Sequence, residues 1–174
     1  MFFVQMSGFP GSGKSTLACE MARRTGAVIV DHDVSKTAVL ETAQGLDAKL
    51  SGKISYNVDW AFIDFYLSQG KNVIFDSPCL YDEMIIKGTA LAKKWNVKYK
   101  YVECCLDDFE EVNFRLKNRQ SKISQIKEVA SREAFQYTIK NSKKPENYPY
   151  LMVDSSKALD TYIEEVMEYI MKEI

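Results

Sequence analysis

The residues best suited to chemistry form a glycine-rich segment near the start of the sequence, GFPGSGKST at positions 8–16. This segment matches the pattern G-x-x-x-x-G-K-[S/T] in full, and it stands between an apolar run and a stretch with helical spacing. Glycines permit backbone angles that side chains block, so that consecutive amide N–H groups can converge on phosphate oxygens. The start of the following helix adds its positive end. The segment therefore predicts a site for a nucleoside triphosphate.

Individual residues of this segment have distinct predicted parts in binding. The flexible ammonium group of Lys14 is suited to the terminal phosphates, and the hydroxyl of Ser15 is suited to Mg²⁺. The alternative is a glycine-rich turn with a chance lysine, which the strand–loop–helix context disfavours. The predicted nucleotide-binding residues of the segment are Gly8, Pro10, Gly11, Ser12, Gly13, Lys14, Ser15 and Thr16.

Acidic residues close two further apolar runs that we predict to be strands. Asp31 and Asp33 follow the run 27–30, and Asp76 follows the run 72–75. Because the carboxyl ends of strands in an open parallel sheet line the ligand crevice, Asp33 is a candidate base for an alcohol that attacks the γ-phosphate. Asp76 is a candidate ligand of Mg²⁺, directly or through water. The alternative for these acids is capping of the next helix. We expect only one of Asp31 and Asp33 to point into the crevice, and we favour Asp33 as the functional residue.

Two neighbouring features are assigned to structure rather than chemistry. His32 stands between the two aspartates, and we predict a solvated loop residue rather than a base. The aromatic-rich segment 56–66 belongs to a predicted helix over 54–68, and we assign it to the core. The alternative for this segment is the wall of an acceptor pocket.

A basic stretch supplies the remaining candidates. Residues 115–144 contain nine Lys or Arg against two Glu. Arg115 and Arg119 are four positions apart and share a helix face, from which they could neutralise the charge that develops during phosphoryl transfer. The alternative is a solvated helix end, which we favour for Arg132. We predict a small helical lid over approximately residues 115–135.

The order of the elements predicts the fold class. Strand-like runs alternate with helical stretches along all 174 residues, which favours an α/β fold with a mainly parallel sheet. The length suits a single domain, 1–174. A final amphipathic helix is predicted over 157–174, and it could provide an interface in a homodimer; a monomer is the alternative.

Composition and charge exclude several classes of protein. The formal net charge is −1, whereas proteins that bind polyanions usually carry a strongly basic balance. The four cysteines form no CxxC pair and there is one histidine, which is too few ligands for a Cys/His zinc site. No apolar run approaches the length of a membrane span, and the first residues lack the basic stretch of a signal peptide. We expect a cytoplasmic protein with no membrane partner.

Four segments together resemble a known family. GFPGSGKST, DHDVSK, NVIFDSP and RLKNR occur in the order and spacing seen in small AAA-type P-loop kinases, which are related to the kinase domain of phage polynucleotide kinase. Chloramphenicol phosphotransferase, gluconate kinase and shikimate kinase are more distant relatives of that family. The resemblance covers roughly residues 2–156. It implies a doubly wound five-stranded parallel sheet of order 2-3-1-4-5, ATP and Mg²⁺ as cofactors, and transfer of the γ-phosphoryl group to a hydroxyl.

The resemblance also implies roles for individual residues. The general-base aspartate of the family falls on Asp33, the aspartate of its Walker B element on Asp76, and its lid arginines on Arg115 and Arg119. A basic residue that contacts substrate phosphate in the polynucleotide kinases falls on Lys36, where Arg is usual. Because lysine does not make the bidentate contact of arginine, this departure weakens the case for a nucleic-acid 5′ end.

Three functions therefore remain open after the sequence is read. The favoured one is an ATP-dependent kinase that acts on a hydroxyl of a small molecule or nucleotide, with Lys14, Asp33 and Arg119 as catalytic residues. A polynucleotide 5′-hydroxyl kinase is supported by the basic stretch and opposed by the net charge; nucleic acid is possible as a partner but is not favoured. The third is a nucleotide-binding regulatory module without catalysis.

Overall fold

Five parallel strands form one central sheet in the computed structural model, which describes residues 1–43 and 45–172. The strand order is β2-β3-β1-β4-β5, and every neighbouring pair is parallel. This confirms the predicted doubly wound sheet of order 2-3-1-4-5. The strands are β1 Phe2–Ser7, β2 Val28–Asp31, β3 Val73–Asp76, β4 Lys98–Cys105 and β5 Tyr150–Asp154.

Helices connect successive strands and cover both faces of the sheet. A short 3₁₀ turn, Leu159–Thr161, precedes the last of them. Within the described residues the α-helices are α1 Lys14–Thr25, α2 His32–Thr42, α3 Ala48–Ser68, α4 Asp82–Lys94, α5 Phe109–Asn118, α6 Arg132–Lys140 and α7 Ile163–Met171.

Two helices differ from their predicted bounds. The predicted helix 54–68 begins six residues earlier, at Ala48, because the side chain of Asp47 accepts hydrogen bonds from the amides of Lys49 and Leu50 at 2.8 and 3.0 Å. The predicted helix 157–174 is interrupted by the 3₁₀ turn, and α7 is correspondingly short. Its last two predicted positions, 173 and 174, lie outside the described residues.

The two faces of the sheet are packed by different side chains of β1. Phe2 and Val4 pack in a buried cluster with α1 and α7, whereas Phe3 packs in a second cluster with α3 and α4. This alternation is the period of a strand. Full burial of each such side chain contributes roughly 1.5–3 kcal/mol. Because both faces are covered, the polar strand ends reach solvent at the edge where the loops after β1, β2 and β3 meet.

A third apolar cluster joins α5 and α6 to the loop after β1. Leu116 and Phe135 are fully buried in it, and the rings of Phe9 and Phe135 lie 4.9 Å apart, edge to face. The segment that precedes α6 is thereby held close to the loop at positions 8–16. No helix within the described residues is both long enough and apolar enough to cross a membrane.

Candidate active site

A cavity of about 1010 Å³ lies at the carboxyl ends of β1, β2 and β3. Residues of the loop after β1 form its floor, and residues from α2, α3, α4 and the segment 115–126 form its walls. Gly8 and Ser12 belong to the same loop but do not line the cavity. The predicted site residues that do line it are Pro10, Gly11, Gly13, Lys14, Ser15, Thr16, Asp33, Lys36, Asp76, Arg115 and Arg119.

The backbone of the loop after β1 depends on glycine at two positions in particular. A Cβ atom at Gly8, where φ is +134°, would lie 2.5 Å from the carbonyl oxygen of Cys104 in β4. Gly13 has a φ of +91° and stands at the start of α1, where no side chain caps the helix. The amide N–H groups in the first turn of α1 are therefore left to an outside acceptor, such as an anion.

Lys14 supplies a further group suited to an anion, whereas Ser12 does not reach the cavity. The ammonium group of Lys14 is largely buried and donates hydrogen bonds to the carbonyl oxygens of Gly8 and Phe9, at 2.9 and 3.1 Å. The hydroxyl of Ser12 is buried and has no hydrogen-bond partner within residues 1–43 and 45–172. Buried polar groups are normally hydrogen-bonded, so the Ser12 hydroxyl is an exception, and it lies beside Gly8 rather than in the cavity.

Asp76 and Ser15 could together hold a magnesium ion. Both side chains line the cavity, and Asp76 is buried at the end of β3. Burial raises the pKa of Asp76, and the ammonium group of Lys14 and the Ser15 hydroxyl act in the opposite direction. In the described part of the chain no group of three or more His, Cys, Asp or Glu side chains is arranged for a metal. A carboxylate, a hydroxyl and nucleotide phosphates are nevertheless the donor set that Mg²⁺ uses in such sites.

The two aspartates after β2 have different surroundings. Asp31 caps α2, since its Oδ1 accepts a hydrogen bond from the amide of Asp33 at 2.8 Å, and its Oδ2 lies 2.8 Å from Nζ of Lys122. Asp33 does not cap a helix. Its Oδ2 accepts a hydrogen bond from Gln125 at 2.7 Å, and its Oδ1 accepts one from Ser124 at 3.2 Å. The capping alternative is therefore right for Asp31, and both carboxylates reach the segment 122–125.

Arg119 ends α5 at the wall of the cavity. One terminal nitrogen donates to the carbonyl oxygen of Ile126 at 3.0 Å, whereas Nε is buried and has no partner among the described residues. Partial burial lowers the pKa of Arg119, and the nearby carboxylate of Asp33 acts in the opposite direction. The guanidinium group is thus incompletely paired, as a group that receives an anion would be.

Arg115 also lines the cavity, but its guanidinium group is already paired. Nε donates to Glu111 at 2.7 Å and a terminal nitrogen donates to the carbonyl oxygen of Ser155 at 3.1 Å. Arg132 is 2.8 Å from Glu110, away from the cavity, as the solvated interpretation predicts.

A sequence profile identifies the family of the chain. Residues 3–145 match the profile described as the AAA domain. The chain belongs to the AAA domain family. No curated protein is significantly similar to it in sequence.

Solved structures resemble this AAA domain along almost the whole chain. A candidate kinase from Chloroflexus aurantiacus is 15% identical, with a TM-score of 0.75 over 96% of this chain and 97% of its own. The APS kinase CysC of Mycobacterium tuberculosis, solved with AMPPNP and APS, is 14% identical, with a TM-score of 0.66 over 98% and 97%. Kti12 of Chaetomium thermophilum, solved with ADP-AlF3, is 13% identical, with a TM-score of 0.66 over 97% and 98%. These likenesses show a P-loop kinase-like α/β fold.

The prediction for His32 is wrong for this AAA domain. The side chain is 5% exposed, its Nδ1 lies 2.7 Å from Oδ2 of the fully buried Asp59, and its ring stacks on Tyr56 at 3.8 Å. The cause is α3, which brings Asp59 beside the start of α2. Tyr56 and Trp60 line the cavity as well, so that the aromatic segment supplies both core and cavity wall.

Sequence reasoning also missed other residues that meet at this site of the AAA domain. The segment 118–126 is visibly polar, but nothing in the sequence indicates that its members reach the aspartates about 91 positions earlier. The missed residues of the cavity wall with charged or amide side chains are Lys49, Lys53, Asn57, Glu83, Lys87, Gln120, Lys122 and Gln125.

Proposed function

We propose that this AAA domain protein is an ATP-dependent phosphotransferase that moves the γ-phosphoryl group to a hydroxyl of a small-molecule or nucleotide acceptor. One observation carries the proposal: the loop with Lys14 and the carboxylate of Asp33, in the first turn of α2, line the same cavity. A phosphate-binding group and a proton acceptor are thereby brought to one space large enough for two ligands. The resemblance of four sequence segments to small P-loop kinases supports the same function, as do the kinases among the structural neighbours.

Different residues of the site have different roles in this reaction. The amides at the start of α1 and the ammonium group of Lys14 bind phosphate oxygens. To do so, Lys14 gives up its hydrogen bonds to the carbonyl oxygens of Gly8 and Phe9. Ser15 and Asp76 hold Mg²⁺. Arg119 offers its unpaired Nε to the charge that develops on the transferred group. Bound ATP with Mg²⁺ supplies the phosphoryl group and a cation that neutralises its oxygens.

Asp33 takes the proton in this proposal. The acceptor oxygen forms the new bond to phosphorus, the bond to the ADP oxygen breaks, and the proton of the hydroxyl passes to the carboxylate of Asp33. In the structure, Gln125 and Ser124 donate hydrogen bonds to that carboxylate. The segment 119–126 must therefore withdraw before an acceptor hydroxyl can reach Asp33, and we assign it to a lid of approximately residues 115–135.

The variant Asp33→Asn tests the function. We expect it to keep ATP affinity within about twofold and to lose phosphoryl transfer by about 100-fold or more, because asparagine cannot accept the proton. The matched control is Asp31→Asn, which removes the neighbouring carboxylate and should retain most of the transfer rate. Labelled ATP and a panel of hydroxyl compounds provide the assay. Unchanged transfer in Asp33→Asn would remove this residue as the base, and ATP binding without transfer to any acceptor would favour a nucleotide-binding module instead.

A further inference from the structure

The wall of the cavity built by α2, α3 and α4 carries an excess of ammonium groups. Lys36 lies on α2, Lys49 and Lys53 lie on α3, and Lys87 lies on α4; all four line the cavity. The same wall contributes two carboxylates, those of Asp33 on α2 and Glu83 on α4. The wall is separate from the loop at positions 8–16, where the nucleotide phosphates belong under the proposed function.

Most of these ammonium groups are not neutralised by the protein. Lys87 lies 2.9 Å from Glu83. Among the described residues no carboxylate lies within ion-pair distance of Lys36, Lys49 or Lys53. Two carboxylates cannot balance four ammonium groups, so the wall keeps a local charge of about +2 in a protein whose net charge is −1.

The spacing of Lys49 and Lys53 along α3 places both residues on the face of the helix that lines the cavity. Lys49, Lys53, Tyr56 with its neighbour Asn57, and Trp60 follow one another at intervals of three or four residues, about a helical turn, and all line the cavity. Lys53 also lies near α4, because its charge contributes with that of Lys87 to the lowered pKa of Glu83. The ammonium groups thus face the cavity from two sides.

Like charges around a concave wall repel one another, and the wall concentrates their field, so that an anion bound there relieves the repulsion. Two or three ammonium groups match the roughly 1.5 to 2 negative charges of a phosphate monoester better than the single charge of a carboxylate. Lys36 lies one helical turn after Asp33, which places this charge next to the carboxylate that would face the acceptor hydroxyl.

We infer that the acceptor is a hydroxyl compound that already carries a phosphate monoester, and that Lys49 and Lys53 bind this phosphate together with Lys36. The inference rests on the proposed function, whose acceptor it specifies. Binding of the phosphate on this wall leaves a hydroxyl of the same molecule to approach Asp33. Nucleotides and sugar phosphates both carry a phosphate monoester and a hydroxyl, and the first experiment below distinguishes between them.

The first experiment uses the whole protein, labelled ATP and matched pairs of acceptors. The pairs are adenosine with its 3′-monophosphate and glucose with its 6-phosphate, and gluconate represents an acceptor with one carboxylate. We expect one phosphorylated compound to exceed its neutral partner by about tenfold or more in kcat/KM, which is the gain expected from about two charge-assisted contacts. A preference for a neutral compound or for gluconate would overturn the inference and leave the proposed function standing.

The second experiment assigns the phosphate to the lysines. The double variant Lys49→Gln/Lys53→Gln should lower kcat/KM for the phosphorylated acceptor by about tenfold or more and leave any neutral acceptor within about twofold. The control Lys71→Gln/Lys140→Gln removes the same charge from exposed positions outside the cavity and should change neither. An equal loss in both double variants would show a general effect of charge and contradict the assignment.

If no compound of the panel accepts a phosphoryl group, the binding of inorganic phosphate tests the inference instead. With AMPPNP and Mg²⁺ saturating the loop at positions 8–16, calorimetry should detect phosphate binding to the wild-type protein. The Lys49→Gln/Lys53→Gln variant should weaken it by about fivefold or more, and the control variant should not. Absence of phosphate binding to the nucleotide-loaded protein would overturn the inference, whereas failure of AMPPNP to bind would contradict the proposed function itself.

Discussion

Gln125 Nε2 donates a hydrogen bond to Oδ2 of Asp33 across 2.7 Å, although the two residues are 92 positions apart in the chain. Ser124 adds bonds to Oδ1 and to the backbone carbonyl oxygen of Asp33, at 3.2 and 3.1 Å. Thr37 in turn donates to the hydroxyl of Ser124 at 3.0 Å. The proposed base is therefore held by the segment that must open for an acceptor.

Removal of the Gln125 amide should ease this opening. A hydrogen bond to a charged group contributes about 1.5 kcal/mol or more, so that Gln125→Ala should increase the population of the open segment by about tenfold. Under the proposed function the acceptor binds only the open form, so that its KM should fall by up to about tenfold while kcat changes by less than about twofold. Steady-state kinetics measures both. The control Gln136→Ala removes an exposed amide that donates to Asp107, outside the cavity. A rise in KM for Gln125→Ala would instead indicate that the amide contacts the acceptor.

The conformation of the loop at positions 8–16 can be predicted from sequence because its constraints are local. Glycine is required where φ is positive, as at Gly13, and the helix that follows provides free amides whatever the rest of the chain does. The same holds for Asp76, since a polar residue at the end of a buried parallel strand has one edge of the sheet at which it can reach solvent. Asp33 lies two positions past the end of β2, in the first turn of α2.

A substitution at Gly8 tests how tightly the loop packs on β4. Gly8→Ala places a Cβ 2.5 Å from the carbonyl oxygen of Cys104 and 2.6 Å from the hydroxyl of Ser12, at a φ of +134°. Backbone strain and overpacking together should reduce the free energy of unfolding by about 2–5 kcal/mol. The control is Gly26→Ala, where φ is +68° and nothing lies within 4 Å of the added Cβ, so that strain alone should cost about 1–2 kcal/mol. Urea denaturation measures both, and equal losses would contradict the close contact.

The contacts that sequence reasoning missed depend on the packing of distant elements. His32 has no local signal of burial, because its partner Asp59 lies 27 positions later on α3. The first turns of α3 were missed for a related reason. Gly52 and Ser51 lower the helix propensity there, by about 1 kcal/mol for the glycine, while the cap at Asp47 and the tertiary contacts stabilise the helix. Lys49 and Lys53 stand in that part of the helix.

The pair of His32 and Asp59 should behave as one unit in stability measurements. Asp59→Leu alone leaves the imidazole without its buried partner and leaves the hydroxyl of Ser35 with only the carbonyl oxygen of His32 as acceptor, and we expect it to cost about 3–5 kcal/mol. The double variant His32→Phe/Asp59→Leu replaces both polar groups and keeps a ring to stack on Tyr56, so that it should recover at least about 1 kcal/mol of that loss. A double-mutant cycle in urea measures the coupling. Additive effects of the two substitutions would contradict a direct interaction.

Acid should weaken the ion pairs that Glu20 makes with Arg23 and Arg24 within α1. Arg23 and Arg24 hold the pKa of Glu20 at about 2, below its ordinary value of 4.5, and Arg24 also lies 2.6 Å from Glu164 on α7. Because the pKa is lower in the folded protein, the charged carboxylate stabilises the fold above pH 4.5, and this contribution is lost as the pH falls through about 2. The difference in unfolding free energy between the wild type and Glu20→Gln should therefore be constant above pH 4.5, shrink below it, and decrease in 1 M salt, since the pair is exposed. Glu168→Gln, at an exposed position of α7 without an ion pair among the described residues, is the control for the charge change. A difference that grows on acidification would contradict the arrangement of Glu20 between its two arginines.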